Sequence, residues 1–122
     1  MKRLPVLALL GILAVALSLP ALAAAHVSKG KTLYLKADKA MMRFDKKLLK
    51  APAGRVTIVL ANPAPMPHNV AIRGKGVKVV GKIVMAGGKS VVSATLKKGT
   101  YVFYCSVPGH EQAGMKGKLV VT

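Results

Sequence analysis

The chain has 122 residues, which is enough for one small domain at most. It is strongly basic, with 20 Lys and Arg against 3 Asp and Glu and a formal net charge of +17. The basic residues are scattered along the chain and carry no recognisable nucleic-acid-binding motif, so no specific nucleic-acid partner is expected. The charge instead predicts attraction to acidic proteins or to an anionic membrane surface.

The first 25 residues have the composition of a secretory signal peptide. A short basic start precedes an apolar run from Leu4 to Leu19, and an alanine-rich sequence follows Pro20. This order of segments predicts export to the periplasm or the exterior, with cleavage after Ala23 or Ala25.

The alternative for this segment is an uncleaved membrane anchor, because its apolar length is nearly enough to span a bilayer. Pro20 and the small residues that follow it favour cleavage. We therefore expect residues 1–25 to be a signal peptide and residues 26–122 to be the mature domain. Loss of Lys2 and Arg3 would leave that domain with a net charge of about +15.

The mature part is predicted to be all-β. Short segments rich in β-branched and aromatic residues alternate with turns that contain Gly, Pro or Asn. The best case for a helix is Asp38–Leu49, which we expect to be a short turn at most. About seven or eight short strands predict a Greek-key β-sandwich or barrel. The predicted strands are Thr32–Lys36, Met41–Phe44, Arg55–Leu60, Asn69–Ile72, Lys78–Met85, Ser90–Leu96, Tyr101–Cys105 and Lys118–Val121.

One stretch near the end of the chain contains an unusual set of metal-binding side chains, Cys105, His110 and Met115, spaced Cys-x4-His-x4-Met. A thiolate and two imidazoles with a weak axial thioether define a mononuclear blue-copper site. The second imidazole must come from elsewhere, and His68, in the sequence Met66-Pro67-His68-Asn69, is the candidate. The sequence therefore predicts one copper ion that cycles between Cu(I) and Cu(II).

Cys105 is the only cysteine, so an internal disulfide is impossible. A free thiol in an oxidising compartment is a liability unless something such as a metal occupies it. The alternative is a buried, inert cysteine. A structural zinc site would have more Cys or His ligands and no Met.

The residues resemble the small blue copper proteins, or cupredoxins, of the plastocyanin, azurin and auracyanin type. The resemblance spans most of the mature chain, from Phe44-Asp45 through Pro67-His68-Asn69-Val70 to the segment 99–121. It implies His68, Cys105, His110 and Met115 as copper ligands. It also implies that Asn69 stiffens the site through hydrogen bonds that involve Ser106.

The resemblance further implies two paths for electrons. His110 would be the short path, in an apolar docking patch that includes Met66 and Pro108. Tyr104 would correspond to the exposed tyrosine that offers a remote path in plastocyanins. Two departures from the family pattern stand out. The Cys-to-His spacing of four residues is longer than that of plastocyanin and resembles auracyanin and rusticyanin instead. The positive charge differs from the acidic plant plastocyanins.

These observations lead to one main hypothesis and one alternative. The main hypothesis is an exported, monomeric, non-enzymatic electron carrier that docks briefly with an acidic redox protein such as a cytochrome or an oxidase. The alternative is a periplasmic protein that binds, stores or delivers copper without transferring electrons. Met41, Met42, Met66 and Met85 are expected to fill gaps in the packing, and the alternative for them is a methionine-rich surface for copper uptake.

Overall fold

The computed structural model describes residues 2, 16, 18–22 and 29–122. It contains eight strands: β1 (Lys31–Lys36), β2 (Leu48–Ala51), β3 (Gly54–Ala61), β4 (Ala71–Gly74), β5 (Val77–Val80), β6 (Lys89–Leu96), β7 (Gly99–Tyr104) and β8 (Lys116–Val121). The described residues include no helix. The predicted all-β sandwich is confirmed, and the cleavage positions predicted after Ala23 and Ala25 lie outside the described residues.

The strands form two sheets that face each other across the core. One sheet has three strands in the order β1-β3-β6, and the other has five in the order β2-β8-β7-β4-β5. The β1–β3 and β2–β8 pairs are parallel, and the other pairs are antiparallel. The chain crosses repeatedly from one sheet to the other, so that each sheet combines segments distant in sequence.

Strand β3 shows why this sequence forms a sandwich. Val56, Ile58 and Leu60 alternate with more polar or less buried residues and are completely buried. Because successive side chains of a strand point to opposite faces, these three residues form one apolar face directed at the other sheet. From that sheet Phe103 contributes to the core, with its ring centroid 5.6 Å from that of Phe44.

The segment between β1 and β2 differs from the sequence prediction. The strand predicted at Met41–Phe44 is absent, and only Phe44 forms an isolated bridge, to Ala37. The reason is Asp38, whose carboxylate oxygen accepts hydrogen bonds from the backbone N–H groups of Ala40 and Met41. Those donors are therefore not free to pair with a strand.

Three other elements also depart from the sequence prediction. Strand β4 begins and ends two residues later than the predicted Asn69–Ile72. Strand β2 forms at Leu48–Ala51, where the sequence predicts no strand, because it pairs with β8 in the distant C-terminal segment. The predicted strand Lys78–Met85 ends at Val80, and Val84 instead forms an isolated bridge with His68. That bridge helps to fix the backbone of a candidate copper ligand.

None of the described residues form a helix that is long and apolar enough to cross a membrane.

Candidate metal centre

The topology brings the four candidate ligands to one edge of the five-stranded sheet. Strands β8, β7 and β4 are neighbours, and both pairs are antiparallel. The start of β4, the end of β7 and the start of β8 therefore lie at the same edge. Cys105 directly follows β7, Met115 directly precedes β8, and His68 precedes β4. His110 lies in the loop between Cys105 and Met115.

The side chains of His68, Cys105 and His110 converge at this edge, and all three are buried. The two histidine Nδ1 atoms are 3.1 Å apart, and the Cys105 Sγ lies 4.0 Å from the Nδ1 of His68 and 3.6 Å from that of His110. A point equidistant from these three atoms lies about 2.1 Å from each, within the about 2.0–2.3 Å range of metal–nitrogen and metal–sulfur bonds. The residues present therefore fit a metal ion.

Met115 is held beside the other candidate ligands by its backbone. Its N–H donates to the carbonyl of His110 over 3.1 Å, and its carbonyl accepts from the N–H of Cys105 over 3.0 Å. Its side chain is completely buried. The donor set is thus two imidazoles, one thiol and one buried thioether, which is the set that characterises a type 1 copper site.

The electrostatic environment of His68 favours metal binding over protonation. The pKa of His68 is lowered, first because burial penalises the charged imidazolium and second because His110 lies close by. The rings are arranged edge to face with their centroids 5.0 Å apart. A neutral imidazole offers a nitrogen lone pair, so this environment keeps His68 in its ligating form near neutral pH.

The ligand loop between β7 and β8 is a succession of tight turns. His110 donates its N–H to the carbonyl of Val107, and Gly114 donates to the carbonyl of Glu111. Gly109 and Gly114 have φ angles of 83° and 117°, in the region that favours glycine. The loop is therefore bonded along its length rather than held only at its ends.

Asn69 connects the loop that contains His68 to the loop that contains Cys105 and His110. Its side-chain amide donates to the Ser106 Oγ over 2.7 Å, and its carbonyl oxygen accepts from the Ser106 N–H over 2.7 Å. A further hydrogen bond of 2.8 Å runs from the same amide to the carbonyl of Gly81. Asn69 is completely buried, so these bonds satisfy an amide that would otherwise be costly to bury.

The predicted electron-transfer surface is only partly present. Met66 is 45% exposed and Pro108 is exposed, while His110 retains 7% exposure. The prediction that Tyr104 is exposed is wrong, because only 6% of its surface reaches solvent. The Arg73 guanidinium lies over the tyrosine ring, 4.4 Å from the ring centroid.

Sequence reasoning missed the group that covers Tyr104. Arg73, on β4, also forms an ion pair with Glu111, the residue that follows His110. This pair lowers the pKa of Glu111 and raises that of Arg73. The available signal was the rarity of acids: the chain has only three, and one adjoins a candidate ligand.

Comparison with known proteins supports the same class. Residues 31–122 match the family of copper binding proteins of the plastocyanin/azurin type. The chain therefore belongs to this family, and the prediction of a cupredoxin with copper as its cofactor is confirmed.

Several solved structures are similar to the chain. Sodium-dithionite-reduced auracyanin from the photosynthetic bacterium Roseiflexus castenholzii is 25% identical, with a TM-score of 0.68 over 75% of this chain and 96% of that one. Auracyanin A, a "blue" copper protein from the green thermophilic photosynthetic bacterium Chloroflexus aurantiacus, is 24% identical, with a TM-score of 0.67 over 77% and 100%. Amicyanin from Paracoccus versutus is 21% identical, with a TM-score of 0.56 over 75% and 81%. The last two likenesses bear on the fold alone.

Proposed function

We propose that this chain is an exported, non-enzymatic electron carrier in which His68, Cys105, His110 and Met115 hold a single type 1 copper ion. The observation that carries the proposal is the convergence of three buried donor atoms around one point. When bound, copper supplies one-electron chemistry between Cu(I) and Cu(II).

The surrounding residues support electron transfer rather than catalysis. All four side chains are buried, so a substrate would have to displace packed protein to reach the metal. The hydrogen bonds of Asn69 and of the Met115 backbone hold the ligands in one arrangement. A site that keeps its geometry in both oxidation states needs little reorganisation when an electron arrives or leaves, which favours rapid transfer.

His110 is the proposed entry and exit point for electrons. Of the four proposed ligands, His110 has the largest exposed fraction, 7%. Pro108 and Met66 supply accessible apolar surface from the two ligand-bearing loops, suited to a brief contact with a partner. Tyr104 is not part of this proposed path, because Arg73 covers its ring.

The positive net charge of the chain is the main argument about the class of its redox partner. Each of the three acidic residues is ion-paired, Asp38 with Arg43, Asp45 with Lys46 and Glu111 with Arg73. Most of the basic side chains therefore remain available to attract an acidic redox protein such as a cytochrome or an oxidase. Steering of this kind increases the association rate and weakens as salt is added. An anionic membrane surface would be attracted in the same way, and the carrier itself is proposed to be monomeric.

Export of the chain is part of the proposal and depends on the signal-like residues 1–25. It is tested by sequencing the N-terminus of the protein recovered from its producing cells. A mature chain that begins at Ala24 or His26 would support the proposal. Retention of residues 1–25 on a membrane-bound protein would support the uncleaved anchor instead.

Storage or delivery of copper is the second candidate function, and the observation that favours it is the presence of exposed methionines near the site. A carrier should keep its copper in both oxidation states and be reduced reversibly. A delivery protein should instead release Cu(I) to an acceptor. Incubation of the reduced copper form with a metal-free acceptor protein, followed by separation and metal analysis, distinguishes the two.

The first experiment is the visible and EPR spectrum of the mature domain after addition of an equivalent of Cu(II). An intense blue band with narrow copper hyperfine splitting, bleached by ascorbate and restored by an oxidant, is the expected result. A pale complex that absorbs weakly would mean that the Cys105 thiolate does not bind the metal, and would overturn the proposal.

A further inference from the structure

A small cavity opens beside the metal centre, between the loop after β1 and the loop before β4. Its volume is about 150 Å³, and three methionines, Met41, Met42 and Met66, line it together with His68. We call it the methionine cavity. Met41 is 55% exposed and Met66 is 45% exposed, whereas His68 is 2% exposed. The cavity therefore joins thioethers at the surface to a buried copper ligand.

Met41 and Met66 are not used mainly for packing, contrary to the sequence-based expectation, whereas Met42 packs against the core as expected. A methionine that fills a gap in a core loses most of its exposure, as Met115 does. Met41 and Met66 remain about half exposed, and only Met42 packs partly against the core. Packing alone therefore does not account for three methionines around one cavity next to the metal centre.

The backbones that carry the two exposed thioethers are held in place. Asp38 accepts hydrogen bonds from the N–H groups of Ala40 and Met41, at 2.9 and 3.0 Å, and pairs with Arg43. On the opposite wall, the buried amide of Asn62 donates to the carbonyl of Met66 over 2.8 Å. The two walls are thus fixed by separate polar anchors, which is the kind of support that a ligand site requires.

Thioethers select soft metal ions. Methionine sulfur binds Cu(I) well, whereas Cu(II) prefers nitrogen and oxygen ligands. The charged residues of the cavity lining are Asp38, which is paired with Arg43, and Lys39, so the lining has no net negative charge and the thioethers are its metal-binding groups. The methionine cavity therefore places soft sulfur donors directly beside His68.

We propose that the methionine cavity is a second, weaker binding site for Cu(I), through which the metal enters the type 1 site by way of His68. In the transfer, bonds from Cu(I) to the thioethers of Met41, Met42 and Met66 break while bonds to His68 and to Cys105 form. The Cys105 thiol releases its proton to solvent as it binds, and copper stays Cu(I) throughout. The proposal depends on copper as the metal of this protein and not on electron transfer.

The first test is the stoichiometry of Cu(I) binding. Metal-free wild-type protein is titrated anaerobically with Cu(I) against a chromophoric Cu(I) chelator, and so is a variant with Met41→Leu, Met42→Leu and Met66→Leu. Leucine conserves volume and apolar character, so folding should be retained. Wild type should bind a second equivalent of Cu(I) that the triple variant does not bind. If both proteins bind the same single equivalent of Cu(I), the proposal is overturned and the methionine cavity is only an apolar feature of the surface.

The second test is the rate of loading. Metal-free protein is mixed with Cu(I), oxidised after set times, and the blue band is measured. The triple variant should load Cu(I) at least about tenfold more slowly than wild type, in line with the about 10–100-fold losses that are typical of weakened metal sites. The rate of loading with Cu(II) should be the same in the triple variant as in wild type. The control is Met85→Leu, which alters a 63% exposed methionine outside the cavity lining. In this control, the rates of loading with Cu(I) and with Cu(II) should both be unchanged. Equal Cu(I) loading rates in wild type and triple variant would contradict entry through this cavity.

The two tests also separate this proposal from the proposed function. A failure of the electron-carrier proposal would appear as a pale Cu(II) complex in every variant, while the chelator titration would still report the second Cu(I) site. A failure of the methionine-cavity proposal would leave a blue protein with normal reversible reduction and a single Cu(I) equivalent.

Discussion

The two sheets of the sandwich contribute differently to the protein. The five-stranded sheet brings the ends of β4, β7 and β8 to one edge, where the four candidate ligands meet. The three-stranded sheet contributes none of these ligands, but its central strand β3 supplies the fully buried Val56, Ile58 and Leu60. Stability and copper chemistry should therefore respond to substitutions in different sheets, and single substitutions can test this separation.

The largest expected effect is that of Cys105→Ser on the metal centre. The blue band arises from the bond between thiolate and copper, so serine should abolish it completely while the sheets still form. Absorption and EPR spectra after addition of Cu(II) provide the measurement, and circular dichroism checks the fold. An unchanged visible spectrum would show that the ligand assignment is wrong.

The matching substitution in the other sheet is Ile58→Ala. Ile58 is completely buried in β3, and truncation of such a side chain leaves a cavity that costs about 2–5 kcal/mol. Denaturant unfolding of the metal-free protein measures this loss. The blue spectrum of the copper form should stay the same, because β3 has no ligand. A clear spectral change would mean that the two sheets are more tightly coupled than their topology indicates.

The donor set of the metal centre could be predicted from sequence because its chemistry is distinctive. A lone cysteine followed at fixed spacing by histidine and methionine offers the mixed sulfur and nitrogen donors that suit copper, and His68 completes the set. Strand β3 was also predictable, since its alternation of buried and less buried residues is local. Strand β2 was not, because it pairs with β8, which is far away in the sequence.

The sequence-based errors near the metal centre have the same physical origin as the missed strand β2, namely contacts between residues that are distant in the sequence. Alternation along β7 correctly separated Tyr104 from the face of Phe103, but it could not show what covers the outer face. Arg73 comes from a neighbouring strand and is held there by Glu111, so the burial of Tyr104 is a tertiary effect. The cavity between Met41 and Met66 likewise depends on how two distant loops meet.

A smaller effect is expected for Asn69→Ala, which removes the hydrogen bonds between the two ligand-bearing loops. Loss of such supporting contacts typically weakens metal binding about 10–100-fold. Competition with a Cu(II) chelator measures the affinity, and voltammetry should show a shifted reduction potential. The matched control is Ser93→Ala, which removes a side-chain hydrogen bond to Thr57 within the three-stranded sheet. If Ser93→Ala weakened copper binding equally, the effect of Asn69 would be one of general stability.

The smallest expected effect is that of Glu111→Gln, which breaks the ion pair that joins the ligand loop to Arg73. The side chains of Arg73 and Glu111 are 41% and 21% exposed, so solvent screening should limit the loss to about 1 kcal/mol or less near neutral pH. The ligands keep their backbone hydrogen bonds, and the blue spectrum should therefore change little.

The pH dependence identifies this pair more sharply than the size of its effect. The hydrogen bond from Arg73 lowers the pKa of Glu111 below its ordinary value of about 4.5. The ionised carboxylate therefore stabilises the fold above pH 4.5, and this contribution disappears as the pH falls through the lowered pKa. In Glu111→Gln, the part of the acid-induced loss of folding stability that is due to Glu111 should be missing. The part due to Asp38, whose pKa is about 2, should remain. Unfolding curves of wild type and variant between neutral pH and about pH 2 give the comparison. Parallel curves across this range would show that the ion pair does not hold the ligand loop to the sheet.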